Sequence, residues 1–192
     1  MKSNLIVILM LWAFMGTTSA SWFPIDSSTW IDITLDQPNN RLVYNASVSH
    51  GHFFGTGVQN SFTDADIYGI QCATDNEDLV RFSNFDVFLS QNGEAQNYTQ
   101  PGYEGVKHII SEKTCSSSFT RPLSLVRDGR NQTLEYNRYY NMTYVYDEQY
   151  YEEKGFENRG FFYMIIDKRT GGVMIYEQLP HEELIEIEEI SA

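Results

Sequence analysis

Two histidines separated by one glycine have the clearest metal-binding spacing in the chain. In an extended strand His50 and His52 would project from one face, and imidazole nitrogens commonly bind transition metals. A metal site needs further ligands, and the sequence identifies no third one near this pair. The two residues are therefore a weak metal candidate, and surface or turn histidines are the ordinary interpretation.

A short acidic stretch, NSFTDADIYG at residues 60–69, places Asp64 and Asp66 at the start of an apolar run. Carboxylates at a strand entrance can accept hydrogen bonds from backbone N–H groups, as Asx motifs do. The alternative is a hard cation such as calcium, bound by both carboxylates and by backbone carbonyl oxygens. No ligand-loop spacing supports calcium, so the turn interpretation is favoured and a metal is a weak alternative.

Cys72 and Cys115 are the two cysteines of the chain. An oxidising compartment favours a disulfide between them, and a buried pair of free thiols is the alternative. Neither cysteine stands in a Cys/His arrangement typical of nucleophilic catalysis, and no Ser/His/Asp arrangement is recognisable. We therefore predict a disulfide and no catalytic residues.

The first twenty residues have the organisation of an export signal. Lys2 gives a basic start, an apolar stretch covers 5–15, and small residues at 18–20 precede Ser21. We predict a signal peptide over 1–20 and a secreted mature protein, and a retained membrane anchor is the alternative. Because the apolar run is short for a membrane span, no stable membrane insertion is expected after cleavage.

Four N-x-S/T sequons follow this segment, at Asn45, Asn97, Asn131 and Asn141. An exported chain meets the glycosylation machinery, so we predict N-glycosylation at these positions. The chain carries 26 acidic and 13 basic side chains, for a net charge of -13. Nucleic acid and anionic lipid surfaces are poor candidate partners, because they are polyanions and would be repelled.

Alternation of apolar and polar residues predicts the elements that position these groups. Leu42, Tyr44, Ala46 and Val48 would line one face of a strand, which leaves Asn45 on the solvent side. Further strands are predicted at 30–35, 53–57, 66–72, 84–89, 106–111, 119–126, 161–167 and 172–177.

A second alternating stretch separates Met142, Tyr144 and Tyr146 from Asn141 and Thr143, so the Asn141 sequon is also expected outside. Turn residues divide the chain into about ten short strands, and only the acidic tail over 181–190 has a helical period. The predicted fold class is all-β, an antiparallel β-sandwich of about ten strands. About 170 mature residues correspond to one domain.

The order of several segments resembles the DOMON domain family. These segments are GHFFGTG, NSFTDADIYGIQ, FTRPLSLVRDG, TYVYD and FENRGFF, and their succession covers 27–168. The resemblance implies a DOMON-like β-sandwich over 21–172, followed by a final strand and acidic tail over 173–192. Arg121 and Arg159 are the charges that match the family. Since Arg121 alternates with apolar residues, we expect it to contact a carboxylate or backbone carbonyls.

In the haem-binding branch of that family a methionine precedes the DAD hinge, and a histidine lies three residues before the RG dipeptide. These two residues are the axial iron ligands, and the corresponding positions here are Phe62 and Phe156. A phenyl ring has no lone pair for iron, so neither residue can bind haem iron. We therefore expect no haem b, and we expect both rings to be buried in the space that a porphyrin would take.

The predicted function is a secreted, glycosylated, non-haem DOMON-like binding module that is not an enzyme. A carbohydrate or an extracellular protein is the expected ligand, by analogy with the family. The alternative is a haem b electron-transfer domain that uses other iron ligands.

Overall fold

A computed structural model describes residues 21–59, 65–74, 80–90, 94–147 and 159–179. The predicted signal peptide, Phe62, Asp64, Phe156 and the acidic tail lie outside the described residues. The burial of the two phenylalanines and the helical period of the tail therefore stay predictions.

Strands account for most of the described residues, and a single 3-10 turn occurs among them at Gln37–Asn39. The strands are β1 (Trp22–Pro24), β2 (Trp30–Asp36), β3 (Arg41–Ser49), β4 (His52–Gln59), β5 (Ala65–Thr74), β6 (Val80–Leu89), β7 (Ala95–Asn97), β8 (Glu104–Ile110), β9 (Thr114–Pro122), β10 (Val126–Arg127), β11 (Arg130–Asn131), β12 (Tyr139–Asp147), β13 (Arg159–Asp167) and β14 (Gly172–Tyr176).

These strands form two antiparallel sheets and a two-stranded ribbon of β10 and β11. The five-stranded sheet has the order β1-β2-β3-β9-β8, and the seven-stranded sheet has the order β14-β13-β12-β4-β5-β6-β7. One core cluster draws side chains from both sheets, so the sheets pack face to face. The predicted fold class, an all-β antiparallel sandwich, is confirmed.

Strand β3 follows the sequence pattern closely. Leu42, Tyr44, Ala46 and Val48 are buried in the shared core, as their alternation predicts. Asn45 points to the opposite face and is partly exposed. The period of two therefore fixes both the register of this strand and the direction of its sequon.

The outer face of the seven-stranded sheet carries an apolar cluster of its own. The cluster consists of Phe53, Ala65, Ile67, Phe85, Val87, Leu89 and Val145. Thr143 lies on the same face of β12 as Val145, and both side chains are buried. As predicted, Met142 and Thr143 lie on opposite faces of β12. The prediction that the face of Asn141 and Thr143 is exposed to solvent is wrong at Thr143, whose side chain is buried. Alternation distinguishes two faces without showing which of them is covered.

Glycines at the centre of this cluster leave room for an aromatic ring. Gly55 and Gly69 are direct cross-strand partners. A Cβ at Gly69 would lie 2.1 Å from Phe85 Cζ, and a Cβ at Gly55 would lie 2.9 Å from the same atom. The ring of Phe85 therefore covers the bare backbone of two neighbouring strands, and a side chain at either glycine would displace it.

The disulfide predicted between Cys72 and Cys115 is present. Cys72 is in β5 of the seven-stranded sheet, Cys115 is in β9 of the five-stranded sheet, and the sulfur atoms are 2.08 Å apart. Both cysteines are buried in the shared core. The bond therefore joins the two layers of the sandwich.

No helix within the described ranges has the length and apolar composition that a membrane span requires.

Candidate functional site

A polar cleft lies at the end of the sandwich where β4 finishes and β12 begins. Its volume is about 340 Å³, within the range of about 300–1,000 Å³ typical of small-ligand pockets. The lining side chains come from three parts of the chain, and they are Val58, Gln59, Asn131, Gln132, Thr133, Leu134, Glu135, Arg138 and Tyr140. Amide, hydroxyl, carboxylate and guanidinium groups thus converge on one concavity, and we call it the polar cleft.

The charged rim of the polar cleft is formed by Glu135 and Arg138. Arg138 Nη1 lies 3.5 Å from Glu135 Oε2, and both side chains are mostly exposed. The Arg138 guanidinium also lies over the ring of Tyr140, and the distance from Arg138 Cζ to the ring centroid is 5.7 Å. This loose pairing leaves donors and acceptors of both residues open to a ligand.

Tyr140 closes one side of the polar cleft and stays a neutral phenol. Burial raises its pKa above the usual value, and this outweighs the lowering effect of the Glu135 backbone N–H. That N–H donates to the Tyr140 hydroxyl oxygen at 2.5 Å. The hydroxyl is therefore oriented, and the ring is buried in the sandwich core behind the cleft.

The segment 131–135 is held in place by main-chain hydrogen bonds to the stretch that follows β9. The backbone N–H of Gln132 donates to Leu125 O at 2.8 Å, and that of Leu134 donates to Leu123 O at 2.7 Å. The N–H of Thr133 donates to Asn131 Oδ1 at 3.0 Å, which closes an Asx turn. The cleft wall is therefore built from ordered backbone rather than from a free loop.

Arg121 lies behind this wall, with its side chain in the sandwich core. Its guanidinium donates to the carbonyl oxygens of Pro122, at 3.1 Å, and Gln132. The sequence predicted a carboxylate or backbone carbonyls as partners, and the structure places carbonyls there. Burial raises the pKa of neighbouring Tyr44 to about 12, although the Arg121 charge opposes this shift.

A second buried arginine, Arg127, forms several contacts at the adjacent end of the sandwich. It forms an ion pair with Asp86, and its Nε donates to Gln132 Oε1 at 3.2 Å. Its guanidinium carbon lies 3.5 Å from the centroid of the Tyr98 ring. Gln132 therefore connects both buried arginines to the cleft, through its backbone to Arg121 and through its side chain to Arg127.

Gly102 is fitted against this ion pair. Its backbone N–H donates to Asp86 Oδ2 at 3.0 Å, and a Cβ at this position would lie 2.5 Å from Arg127 Nη1. Burial raises the pKa of Tyr68, and the nearby carboxylate of Asp86 raises it further. The arrangement is typical of structural support, because the Arg127 guanidinium and the Asp86 carboxylate are paired with each other.

The sequence reasoning missed the polar cleft and the Arg127 network. Asp86 and Arg127 are 41 residues apart, and Gln59 and Arg138 are brought together by strand pairing. Asp86 stands between Phe85 and Val87 in the otherwise apolar stretch 85–89. A charge in such a stretch is a sequence signal for a carboxylate that needs a partner.

His50 and His52 do not share the face of one extended strand. Gly51 between them has φ +80°, in the left-handed region that favours glycine, and the chain turns there from one sheet to the other. His52 Nδ1 lies 2.9 Å from His50 O, and its ring stacks on Tyr146. The geometry that motivated a metal site at this pair is absent.

The structure instead brings His50 close to the disulfide. The ligand atoms of His50, Cys72 and Cys115 lie within 4.8 Å of one another. Both sulfur atoms are bonded to each other, so neither is a thiolate that could bind a metal. This cluster is therefore not a metal site in the oxidised protein.

The other predicted site residues are placed as follows. Asp66 is the second residue of β5, and its side chain is buried on the face toward the core. It thus lies within a strand, and its partner in the weak calcium candidate, Asp64, falls outside the described residues. Arg159 is exposed at the start of β13.

The four sequons differ in environment. Asn97 and Asn131 are exposed, whereas Asn45 and Asn141 are partly buried. The side chain of Asn45 donates to Asp32 Oδ2 at 3.4 Å, a weak contact. All four asparagines therefore have at least part of their side chain at the surface.

Comparisons with known proteins add no assignment. No protein-family model matches the chain, and no curated protein matches it either.

Proposed function

We propose that the chain is an exported, N-glycosylated DOMON-like binding module, and that its polar cleft binds a short carbohydrate. The observation that supports this proposal most is the convergence of Gln59, Thr133, Glu135 and Arg138 on one concavity of about 340 Å³. The resemblance of the segment order to the DOMON family and the export signal support the wider assignment.

A carbohydrate fits the chemistry of the polar cleft better than an apolar ligand. Sugars present hydroxyl groups, each of which donates and accepts hydrogen bonds, and amide, carboxylate and guanidinium groups provide both functions at fixed angles. An extracellular protein is the other ligand class that the family suggests, and a cleft of this volume would admit a side chain or a short peptide from it.

The non-haem part of the proposal is supported by sequence. Phe62 and Phe156 stand where the haem-binding branch has its iron ligands, and phenylalanine offers no lone pair to the metal. Purified protein expressed with added haem should show no Soret band. A Soret band with reduced α and β bands at stoichiometric haem would overturn this part in favour of an electron-transfer domain.

The ligand class is tested by screening the secreted protein on a glycan array and measuring each positive by calorimetry. Arg138→Ala and Glu135→Ala should weaken binding by about 10-fold or more, because each removes hydrogen bonds to the ligand. Arg169→Ala, an exposed arginine in the turn before β14, and Glu112→Ala, an exposed glutamate in the β8–β9 turn, are matched controls that should bind normally. Binding that both cleft variants retain, or binding only to proteins in a pull-down, would contradict the carbohydrate proposal.

A further inference from the structure

A group of aromatic side chains lies on the outer face of the seven-stranded sheet, away from the apolar cluster around Phe85. The group consists of Tyr139, Phe161, Tyr163 and Tyr176, and we call it the outer aromatic patch. Phe161 is 50% exposed, and the three tyrosines are partly exposed. The rings of Tyr139 and Tyr176 have their centroids 6.1 Å apart. A partly exposed group of aromatic side chains on a sheet face is typical of a contact surface.

Asn141 lies in the middle of the outer aromatic patch. Strand pairing puts it directly opposite Tyr163, and it puts the sequon residue Thr143 directly opposite Phe161. Tyr139 precedes Asn141 by two residues, so it projects from the same face of β12. The sequon asparagine therefore has aromatic rings opposite it, diagonal to it and beside it along its own strand.

The side chain of Asn141 is oriented by a neighbour and carries an open acceptor. Its Nδ2 donates to Gln59 Oε1, which fixes the amide plane on the outer face. Its Oδ1 is buried, and no hydrogen-bond partner for it occurs among the described residues. The amide N–H of an N-acetylated sugar attached to Nδ2 is a donor that could satisfy this oxygen.

We propose that the N-glycan attached to Asn141 folds back onto the outer aromatic patch, with its first N-acetylated sugar against Tyr163 and Phe161. Attachment replaces one Nδ2 hydrogen with C1 of the sugar, while the lipid diphosphate of the oligosaccharide donor leaves with the proton. The second Nδ2 hydrogen remains, so the contact with Gln59 survives. The inference rests on the export and glycosylation that the proposed function includes.

The tethered glycan is a better occupant of the patch than a free ligand. The covalent link holds the sugar at a high effective concentration next to the rings, so weak stacking contacts suffice to keep it there. Sugar C–H groups and aromatic faces are complementary apolar surfaces, and the hydroxyl edges of the sugar stay in water. The patch is thereby covered without a second molecule.

Asn97 provides a matched sequon without this environment. It is exposed in β7, and its cross-strand partner is the aliphatic Val87. A glycan at Asn97 has no aromatic residue paired opposite it. Loss of that glycan should therefore leave the folded protein unaffected, which makes Asn97→Gln the control.

The test uses the full chain secreted from eukaryotic cells. Asn141→Gln should lower the thermal midpoint by about 2 to 4 °C, and Asn97→Gln should leave it unchanged. In a Phe161→Ala background, Asn141→Gln should cost much less, because the ring that holds the sugar is gone. Equal losses in both backgrounds would overturn the inference.

Enzymatic trimming separates the glycan from the effects of the Gln substitution. Protein trimmed to a single N-acetylglucosamine per site should unfold at the same thermal midpoint as the untrimmed protein. Protein from which the glycans are removed completely should unfold at a lower midpoint. In the trimmed protein the N-acetyl methyl resonance at Asn141 should be shifted upfield by the ring current, and Phe161→Ala should reduce this shift. A methyl resonance at the chemical shift of free N-acetylglucosamine would contradict packing of the sugar against the aromatic rings.

Glycopeptide mass spectrometry distinguishes this inference from the proposed function. If the other sequons carry glycans and Asn141 carries none, the inference is overturned and the proposed function is unaffected. Four bare sequons would overturn the glycosylation on which both depend.

Discussion

Arg127 and Arg138 differ in burial, and this difference should determine how much each guanidinium contributes to stability. The side chain of Arg127 is 1% exposed and pairs with Asp86, whereas that of Arg138 is 63% exposed and pairs loosely with Glu135. Arg127→Leu should lower the free energy of unfolding by about 3 kcal/mol, because it leaves the Asp86 carboxylate unpaired in a partly buried position. Urea denaturation measures this loss.

The matched control is Arg138→Leu, which should change the free energy of unfolding by no more than about 0.5 kcal/mol. The two substitutions remove the same atoms from the same residue type. Similar losses for both would show that the Arg127 ion pair does not support the fold.

A pH dependence is expected from Asp26 at the residue scale. Burial acts to raise its pKa, but hydrogen bonds from the backbone N–H groups of Ser28 and Thr29, both at 2.7 Å, outweigh it and lower the pKa to about 2. A carboxyl whose pKa is depressed on folding stabilises the protein above its unfolded pKa, and this contribution is lost as pH falls toward the folded value. The relevant window is therefore about pH 4 down to about pH 2.

Asp26→Asn tests that contribution. After the discount for solvent screening of an exposed carboxylate, the variant should lose about 1 kcal/mol at pH 7, and the difference from the parent should vanish near pH 2. Denaturant titrations at several pH values measure it, with Glu112→Gln in the exposed β8–β9 turn as a charge-matched control. A loss that is constant across this window would contradict the electrostatic origin.

Sequence reasoning found one of the two buried arginines and missed the other. Arg121 lies in a strand whose alternation puts it on the core face, so the pattern itself shows the conflict between charge and burial. Arg127 lies in a two-residue strand of the ribbon, where no period exists to assign a face. Its partner Asp86 is distant in sequence, so only the folded structure identifies the pair.

At the scale of elements, strand β4 depends on glycines that no other residue can replace equally. A Cβ at Gly57 would lie 1.4 Å from the backbone oxygen of Asp66 on the adjacent strand. A Cβ at Gly160 in β13 would lie 2.1 Å from Tyr144 Cζ, which is part of a side chain that can move. Gly57→Ala should therefore destabilise by about 3 kcal/mol or more, and Gly160→Ala by about 1 to 2 kcal/mol.

Thermal or urea unfolding of both glycine variants gives the ranking. The reverse order would show that Tyr144 is held more firmly than the β4–β5 backbone. Both variants should keep the strand-rich circular dichroism spectrum if they fold.

The strands themselves were largely predictable, and their surroundings were not. The face of β3 toward the core follows directly from Leu42, Tyr44 and Ala46. In β12 the polar residue Thr143 is buried on the outer face of the sheet, on the same side as Val145 of the outer apolar cluster, and the sequence of β12 alone does not show this burial. Alternation thus predicts which residues share a face, while coverage of that face depends on distant segments.

At the scale of the whole molecule, the disulfide is expected to set much of the stability. Replacing Cys72 and Cys115 together with alanine should lower the free energy of unfolding by up to about 4 kcal/mol, because the open chain gains entropy when unfolded. Urea denaturation of the parent and the double variant measures this difference. Alkylation of the urea-unfolded protein without reductant should modify neither cysteine by intact mass, and two alkylated thiols would refute the bond.

The fold class and the cysteine pairing were accessible from sequence, since both depend on pattern and compartment. The polar cleft was not, because Gln59, Glu135 and Arg138 belong to separate segments that meet only through the pairing of β4 with β12. Its proposed ligand class therefore rests on side-chain chemistry that becomes visible once the sheets are assembled.

The bond between the layers also has a mechanical consequence. Cys72 and Cys115 are 43 positions apart, and their Cα atoms are held 5.7 Å from each other. Under a stretching force applied through β1 and β14, the residues between the two cysteines cannot extend, whereas the strands outside them can. At about 3.6 Å per extended residue, the oxidised chain should reach a contour length about 150 Å shorter than the reduced chain.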